Sequence, residues 1–236
     1  AAILDAADAY RQKTKALITK YDELTQSLFL KMFGNVKDNP HNFNIVPLND
    51  ICTKITDGEH GTVKRLNTGK LYLMARNIRD NYIDLDNVSY ISEVDHQRIY
   101  KRCGAEKGDL LLVCVGATIG RMCITPEMED FSLARSVALL KPKKELINSF
   151  FLYSVLSSTY LQEVIKRNGN SSAQAGLYTG KIKKLEIFLP TLKLQNQFAD
   201  RVQSIEEQKA QAQASLAQSE DLFNSLLQRA FKGELT

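Results

Sequence analysis

Two stretches of heptad-spaced residues, one near each end of the chain, constrain the fold more than any other feature. The first lies within residues 3–31 and consists of Ile3, Ala7, Tyr10, Thr14, Leu17, Tyr21, Leu24 and Leu28. The second lies within residues 198–230 and consists of Phe198, Val202, Ile205, Lys209, Ala212, Leu216, Ser219, Phe223, Leu226 and Ala230. Alternating steps of four and three residues keep one stripe on the face of a helix that packs against another helix. Neither helix can bury its stripe alone. We therefore expect the two helices to pack antiparallel, with a second copy of the chain or another subunit covering what remains.

The residues between the two helices predict a β-rich unit with small helices. Short β-type runs occur at 71–74, 88–91, 110–115, 121–124 and 136–140, and a closing strand is expected at 185–189. One helix is expected near 94–101 and a longer one over 147–166, and Gly34 is placed to cap the first long helix. The predicted fold class is α+β: a mixed β-rich domain flanked by two long antiparallel helices that form a coiled-coil stalk. The predicted domains are residues 1–34, 35–192 and 193–236.

Positive charge is concentrated in one part of the β-rich unit. The whole chain contains 31 Lys and Arg against 27 Asp and Glu, a net charge of +4. Residues 131–184 alone contain nine Lys or Arg and two acidic residues. A polyanion is the natural partner of such a segment, although a solvated basic surface would have the same composition.

Several classes of protein are disfavoured by the sequence. No run approaches the roughly 18 apolar residues of a membrane span. The first residues lack the basic and apolar regions of a secretory signal, so we expect a cytoplasmic protein without a membrane partner. The four cysteines, Cys52, Cys103, Cys114 and Cys123, have no CxxC spacing. Reduced, mostly buried thiols and no metal site are therefore expected.

Four motifs, taken in order, point to a known family. They are Ile55–Thr62 (ITDGEHGT), Lys107–Leu112 (KGDLLL) followed by Val115–Arg121 (VGATIGR), Leu189–Gln197 (LPTLKLQNQ) and Leu226–Leu235 (LLQRAFKGEL). Together they resemble the specificity subunit of a type I restriction–modification system. A full subunit of that family has two target-recognition domains, each followed by a long helix of a conserved region. This chain resembles one half of such a subunit, with one recognition domain between two conserved-region helices.

The resemblance implies a non-catalytic subunit that reads one half-site of a bipartite DNA target. Its expected partners are double-stranded DNA, a modification (methyltransferase) subunit, a restriction or motor subunit, and a second copy of the chain bound through the helices. The resemblance places S-adenosylmethionine on the modification subunit, so no cofactor is expected here. The chain itself contains no Asn/Asp-Pro-Pro-Tyr/Phe motif and no P-loop.

Two other readings of the sequence remain open. The chain could be the recognition region of a stand-alone, type IIG-like DNA methyltransferase. It could also be an interaction module with a coiled coil and a head that binds no nucleic acid. Helix packing or dimer contacts are expected in each case from one set of residues: Tyr10, Leu17, Tyr21, Leu24, Leu28, Phe198, Val202, Ile205, Leu216, Phe223 and Leu226.

Candidate DNA contacts lie in predicted loops. Cations there suit phosphates, and Arg, Asn and Gln side chains can read base edges. The candidates are His60, Thr62, Lys64, Arg65, Arg76, Asn77, Arg79, Arg135, Lys166, Arg167, Asn168, Asn170, Ser171, Ser172, Gln174 and Lys181. Each also has a structural alternative. Arg76, for instance, could pair with Asp80 or Asp84, and residues 166–174 could be an ordinary helix exit.

Two further motifs favour structure over chemistry. The segment Thr56–His60 places an acidic residue three positions from a histidine, but an Asp- and Gly-stabilised turn explains it without catalysis. The segment Gly116–Gly120 has a GxxxG spacing without the Lys-Ser/Thr ending of a phosphate loop, so a tight turn between strands is expected.

Overall fold

The computed structural model describes residues 2–170 and 176–232, and divides the chain into two compact units. The helical unit comprises residues 1–32 and 197–236, and the central unit comprises residues 33–196. Within the described residues the α-helices are α1 (Ala2–Phe33), α2 (Leu48–Ile51), α3 (Glu93–Cys103), α4 (Ser149–Leu156), α5 (Thr159–Asn170), α6 (Thr179–Lys183) and α7 (Leu192–Phe231). The strands are β1 (Asn44–Pro47), β2 (Cys52–Asp57), β3 (Lys70–Leu73), β4 (Ile78–Arg79), β5 (Tyr82–Ile83), β6 (Ser89–Ile91), β7 (Leu110–Val113), β8 (Met122–Ile124), β9 (Phe131–Leu133), β10 (Val137–Pro142) and β11 (Glu186–Leu189). This α+β composition confirms the predicted fold class.

Helices α1 and α7 pack antiparallel, as the heptad stripes predict. The hydroxyls of Tyr10 and Ser215 are 2.9 Å apart, and the Lys209 ammonium lies 2.5 Å from the Asp22 carboxylate. Further along, the rings of Phe29 and Phe198 meet edge to face at 5.8 Å. From Tyr10 to Asp22 to Phe29 the residue number rises along α1, while that of the partner on α7 falls from 215 to 209 to 198. The two helices therefore run antiparallel. Lys209, a polar position in the second stripe, therefore meets a carboxylate instead of an apolar neighbour.

Only half of the first heptad stripe is covered by α7. Thr14 is buried, and Ala7, Tyr21 and Leu28 are half-buried. The other half remains accessible and forms what we call the exposed row: Ile3 (54% exposed), Tyr10 (53%), Leu17 (43%) and Leu24 (48%). On α7, Phe198 and Val202 are buried, while Ile205, Leu216, Phe223 and Leu226 are half-buried. Contacts of Leu17 and Leu24 with a second chain therefore stay a prediction.

The central unit contains two main sheets that share one core. The larger sheet is antiparallel with strand order β2-β10-β7-β8, and the smaller has the order β6-β3-β9, in which β3 and β9 are parallel. Buried side chains from both sheets belong to one cluster that includes Leu73, Leu111, Leu133 and Leu139. Strands β1 and β11, at the two ends of the unit, pair with each other.

Sequence patterning placed many of these elements, but it predicted no strand at β2 or β9 and one helix where the structure has two. The single helix predicted over 147–166 is two helices, α4 and α5, because the chain turns at Ser157 and Ser158. The Ser158 hydroxyl donates to the carbonyl of Val155 at 2.7 Å and accepts from the amide of Leu161 at 3.4 Å. A serine that bonds the neighbouring backbone in this way competes with continuous helix. The predicted left-handed cap at Gly34 is confirmed, with φ of 77°.

Candidate nucleic-acid interface

Segments that carry the candidate DNA contacts converge at one edge of the central unit. Strands β2, β3, β7 and β9 end at this edge and β10 begins there, since Asp57 and Val113 lie opposite the first residues of β10 and Leu73 lies opposite Leu133. We call this region the loop edge; it comprises residues 57–66, 74–79, 114–121, 134–136 and the described part of 166–177.

Ser136 joins three of these loops. Its hydroxyl accepts a hydrogen bond from the backbone amide of Ala75 at 3.1 Å, and its carbonyl accepts one from the amide of Cys114 at 2.9 Å. On the far side of that loop, the amide of Leu177 donates to the carbonyl of Cys114 at 2.7 Å. Residues far apart in sequence are thus held in one surface by backbone hydrogen bonds.

The acidic residues of the 57–61 loop are all engaged by neighbouring groups. Asp57 lies 2.7 Å from the His60 imidazole, and Glu59 lies 2.8 Å from the Arg98 guanidinium. The backbone N–H of Gly61 and then Arg98 stabilise the ionised carboxylate, which lowers the pKa of Glu59. Arg102 also donates to the carbonyl of Gly58. These contacts describe an anchored loop, in which Asp57 bonds the His60 ring and Glu59 accepts from the Gly61 amide.

The cluster Arg76, Asn77 and Arg79 separates into three different environments. Asn77 is 1% exposed, and its amide is fully used in holding the loop. Arg79 donates twice to one oxygen of the Asp84 carboxylate, at 2.9 and 3.0 Å. The amide of Asp86 and then Arg79 lower the pKa of Asp84. Arg76 is exposed and donates only to uncharged acceptors among the described residues.

Other candidates of the loop edge present their side chains to solvent. Thr62, Lys64 and Arg135 are exposed, as is His60. The backbone amide of Arg135 donates to the carbonyl of Glu59 at 3.0 Å, which places Arg135 next to the 57–61 loop. Within residues 2–170 and 176–232, Lys64 and Arg135 take part in no ion pair.

The end of α5 brings a further group of candidates to the loop edge. Lys166 and Arg167 are exposed, and the Lys181 ammonium donates to the carbonyl of Asn168 at 2.8 Å. The amide of Gly176 donates to the carbonyl of Gly169 at 2.8 Å. Ser171, Ser172 and Gln174 lie outside the described residues, as does the side chain of Asn170, so their predicted DNA contacts stay predictions.

The GxxxG segment is a tight turn between β7 and β8, as expected. Gly116 and Gly120 have φ of 104° and 100°, a region that favours glycine. The amide of Gly120 donates to the carbonyl of Val113 at 3.0 Å. A Cβ on Gly120 would lie 2.6 Å from the amide oxygen of Gln162, so that side chain would have to shift, and the positive φ is what favours glycine here.

Two serines that organise the loop edge are not predicted by the sequence. Ser136 bridges loops, and Ser89, on β6, accepts hydrogen bonds from both Arg65 and Arg76. Isolated serines carry no periodic or compositional signal, so only the fold identifies them.

Other chemistries find no support in the described parts of the chain. All four cysteines are free and buried, and burial raises the pKa of Cys52, Cys114 and Cys123 to about 12. Across residues 2–170 and 176–232, no three His, Cys, Asp or Glu side chains are grouped so that they could hold a metal ion. Among the same residues, no helix combines the length and hydropathy that a membrane crossing requires.

The sequence profile of the type I restriction modification DNA specificity domain matches residues 40–218. The chain belongs to this family. A relative with a curated description is the specificity subunit of the type I restriction enzyme EcoBI from Escherichia coli, which is 34% identical over 164 residues. That alignment covers 67% of this chain and 34% of the relative.

Solved structures share the fold. The S subunit of a type I restriction–modification system from M. genitalium superposes with a TM-score of 0.64 at 18% identity, covering 95% of this chain and 57% of the other. The HsdS subunit from Thermoanaerobacter tengcongensis gives 0.58 at 19% identity, covering 99% and 56%. The chain thus spans little more than half the length of these solved chains.

Proposed function

We propose that this chain is a DNA sequence-specificity subunit that reads one half-site of a bipartite target through the loop edge. The family match over residues 40–218 is the observation that carries this proposal. Specificity would come from the loops, because side chains of a rigidly anchored edge can approach both phosphates and base edges. The chain would act beside DNA in the cytoplasm and leave methyl transfer and cleavage to other subunits.

The charge pattern of the loop edge supports DNA as its partner. Asp57, Glu59 and Asp84 are each paired with an arginine: Arg102, Arg98 and Arg79. Lys64 and Arg135 are exposed and have no ion pair among the described residues. Because the carboxylates of this edge are neutralised while Lys64 and Arg135 stay exposed, the surface carries net positive charge. Such a surface attracts the phosphate backbone at long range.

The helical unit is the proposed docking surface for other chains. The exposed row of α1 repeats every seven residues, which suits a helix of a partner. We propose that modification subunits, which would carry S-adenosylmethionine, dock on this unit, with a motor subunit joining the assembly. Two copies of the chain would pair about a two-fold axis through the same unit. The target would then be two inverted copies of one half-site separated by unread bases.

Methylation mapping tests the recognition function. The chain would be co-expressed with its modification subunit in cells that lack other DNA methyltransferases, and modified adenines would be located by sequencing. We expect one split, inverted-repeat motif that disappears when this chain is omitted. Methylation by the purified chain alone would favour a stand-alone enzyme. No DNA binding by the complex at any salt concentration would favour a protein-interaction module.

Sedimentation tests the pairing of two copies. We expect a dimer at tens of micromolar and a monomer for the variant Leu17→Glu/Leu24→Glu. The matched control is Gln12→Glu/Gln26→Glu, which introduces the same two negative charges at exposed positions of α1 outside the row. A wild-type chain that stays monomeric, or equal effects of both variants, would contradict pairing through the exposed row.

A further inference from the structure

On the basis of the DNA-binding function proposed above, we infer that Arg65 and Arg76 form a clamp for one phosphodiester group of the DNA backbone. The hydroxyl of Ser89 lies at the centre of this clamp. Nη1 of Arg65 donates to Oγ of Ser89 at 3.2 Å, and Nη2 of Arg76 donates to the same oxygen at 2.9 Å. The shared acceptor holds the two guanidinium groups close together.

Two cations that share a neutral acceptor make an anion-binding arrangement. Their mutual repulsion is relieved by a negative group placed between them. Across the described part of the chain, neither Arg65 nor Arg76 is paired with a carboxylate, whereas nearby Arg79 is neutralised by Asp84. The Ser89 hydroxyl accepts from both arginines, so its own hydrogen is available to donate to the same anion.

The fold positions both arginines before any ligand arrives. The Arg65 guanidinium stacks 4.8 Å above the ring of Tyr72, which is 2% exposed, and also donates to the sulfur of Met74 at 3.0 Å. Nε of Arg76 donates to the carbonyl of Asn87 at 3.0 Å. A guanidinium fixed in this way loses less conformational entropy when it binds.

The geometry favours a phosphate over a base edge. A guanine edge is read by two parallel N–H groups of a single guanidinium. Nε and Nη2 of Arg76 already donate to Asn87 and Ser89, so the side-on pair of N–H groups of this guanidinium is occupied. Convergence of two cations and a hydroxyl matches the several oxygens of one phosphate, which accept strong charge-assisted hydrogen bonds.

A salt series of DNA binding tests the clamp. The full chain in complex with its modification subunit would be titrated with two fluorescent duplexes, one with the target found by methylation mapping and one without it, and affinity would be measured from 50 to 300 mM salt. Arg65→Gln and Arg76→Gln should each weaken binding about tenfold, since each removes charge-assisted hydrogen bonds. The double variant should lower the slope of log K against log salt by about 0.9, the value for one phosphate.

Control variants separate the clamp from general charge loss and misfolding. Lys107→Gln/Glu127→Gln removes an exposed ion pair outside the loop edge without changing net charge, and should bind as the wild type does. Arg65→Lys/Arg76→Lys keeps both charges and should keep the wild-type slope while binding more weakly, because lysine lacks the planar fork. Thermal unfolding of each variant identifies any that fail to fold, and the lysine variant then decides.

Several results would overturn the clamp. The first is unchanged affinity and slope in the double glutamine variant. The second is a slope reduced by about 1.8, the value for two separate phosphates. The third is a loss of affinity confined to the duplex with the target sequence, which indicates base reading. If the wild-type complex binds no DNA, the proposed function fails. If the wild type binds and the variants match it, only the clamp fails.

Discussion

Replacement of Asn77 by alanine distinguishes a base-reading residue from a loop-holding one. In the structure, Oδ1 of Asn77 accepts from the amide of Met74 at 3.1 Å, and Nδ2 donates to the carbonyls of Asp84 and Asn87 at 3.0 and 3.2 Å. Each such bond contributes about 1 kcal/mol net, so Asn77→Ala should lower the free energy of unfolding by about 3 kcal/mol. For a chain of this size, that corresponds to a fall in Tm of about 6–12 °C.

Urea denaturation followed by circular dichroism measures this change, with Asn87→Ala as the matched control. The Asn87 side chain is exposed in the same loop, and only its carbonyl takes part in the contacts described. Its replacement should change the free energy of unfolding by less than about 0.5 kcal/mol. The reasoning would be refuted if Asn77→Ala unfolded like the wild type yet lost affinity for the target duplex alone.

Three further perturbations test other parts of the fold. Gly120→Ala should destabilise the protein by about 1–3 kcal/mol and more than Gly116→Ala. Both positions need positive φ, but a Cβ at Gly120 would also displace the Gln162 amide, which donates to the carbonyls of Gly120 and Leu156. Comparison of urea midpoints would disprove this if the order were reversed. The lowered pKa of Glu59 means that its contribution to stability is complete above pH about 5 and is lost as the pH falls through its native pKa; Glu59→Gln should flatten the acid limb of unfolding, and an unchanged limb would count against the loop contacts. Phe198→Ala should lower stability by about 3–5 kcal/mol, since the ring is fully buried; a change below about 1 kcal/mol in calorimetry would contradict the packing of α1 on α7.

The heptad pattern predicted the two long helices but not which residues of each stripe meet. Leu17 and Leu28 both satisfy the periodicity of the first stripe, yet Leu28 is half-buried and Leu17 is 43% exposed. Periodicity identifies a face, whereas the choice of neighbour depends on the rotation of the whole helix against its partner. The same limit explains the error over 147–166, where apolar spacing continues through a serine turn.

Residue type alone could not assign roles at the loop edge. Arg65, Arg76 and Arg79 are chemically identical in the sequence, but a carboxylate from the loop five residues further on neutralises Arg79 only. Asn77 has the amide that reads adenine, and the same amide serves equally well to hold a loop. Burial and neighbours decide between these roles, and both are produced by contacts between distant segments.

The pairing of β1 with β11 gives the central unit a particular kind of connection. Asn44 on β1 lies opposite Leu189 on β11, so the chain enters and leaves this unit along adjacent strands. The contacts of Tyr10 with Ser215 and of Asp22 with Lys209 join α1 to α7 within the helical unit. A central unit from another protein, with its two ends equally close together, should therefore fit between the same two helices. On the proposed function, such a chimera would keep α1 and α7 and have a new DNA preference.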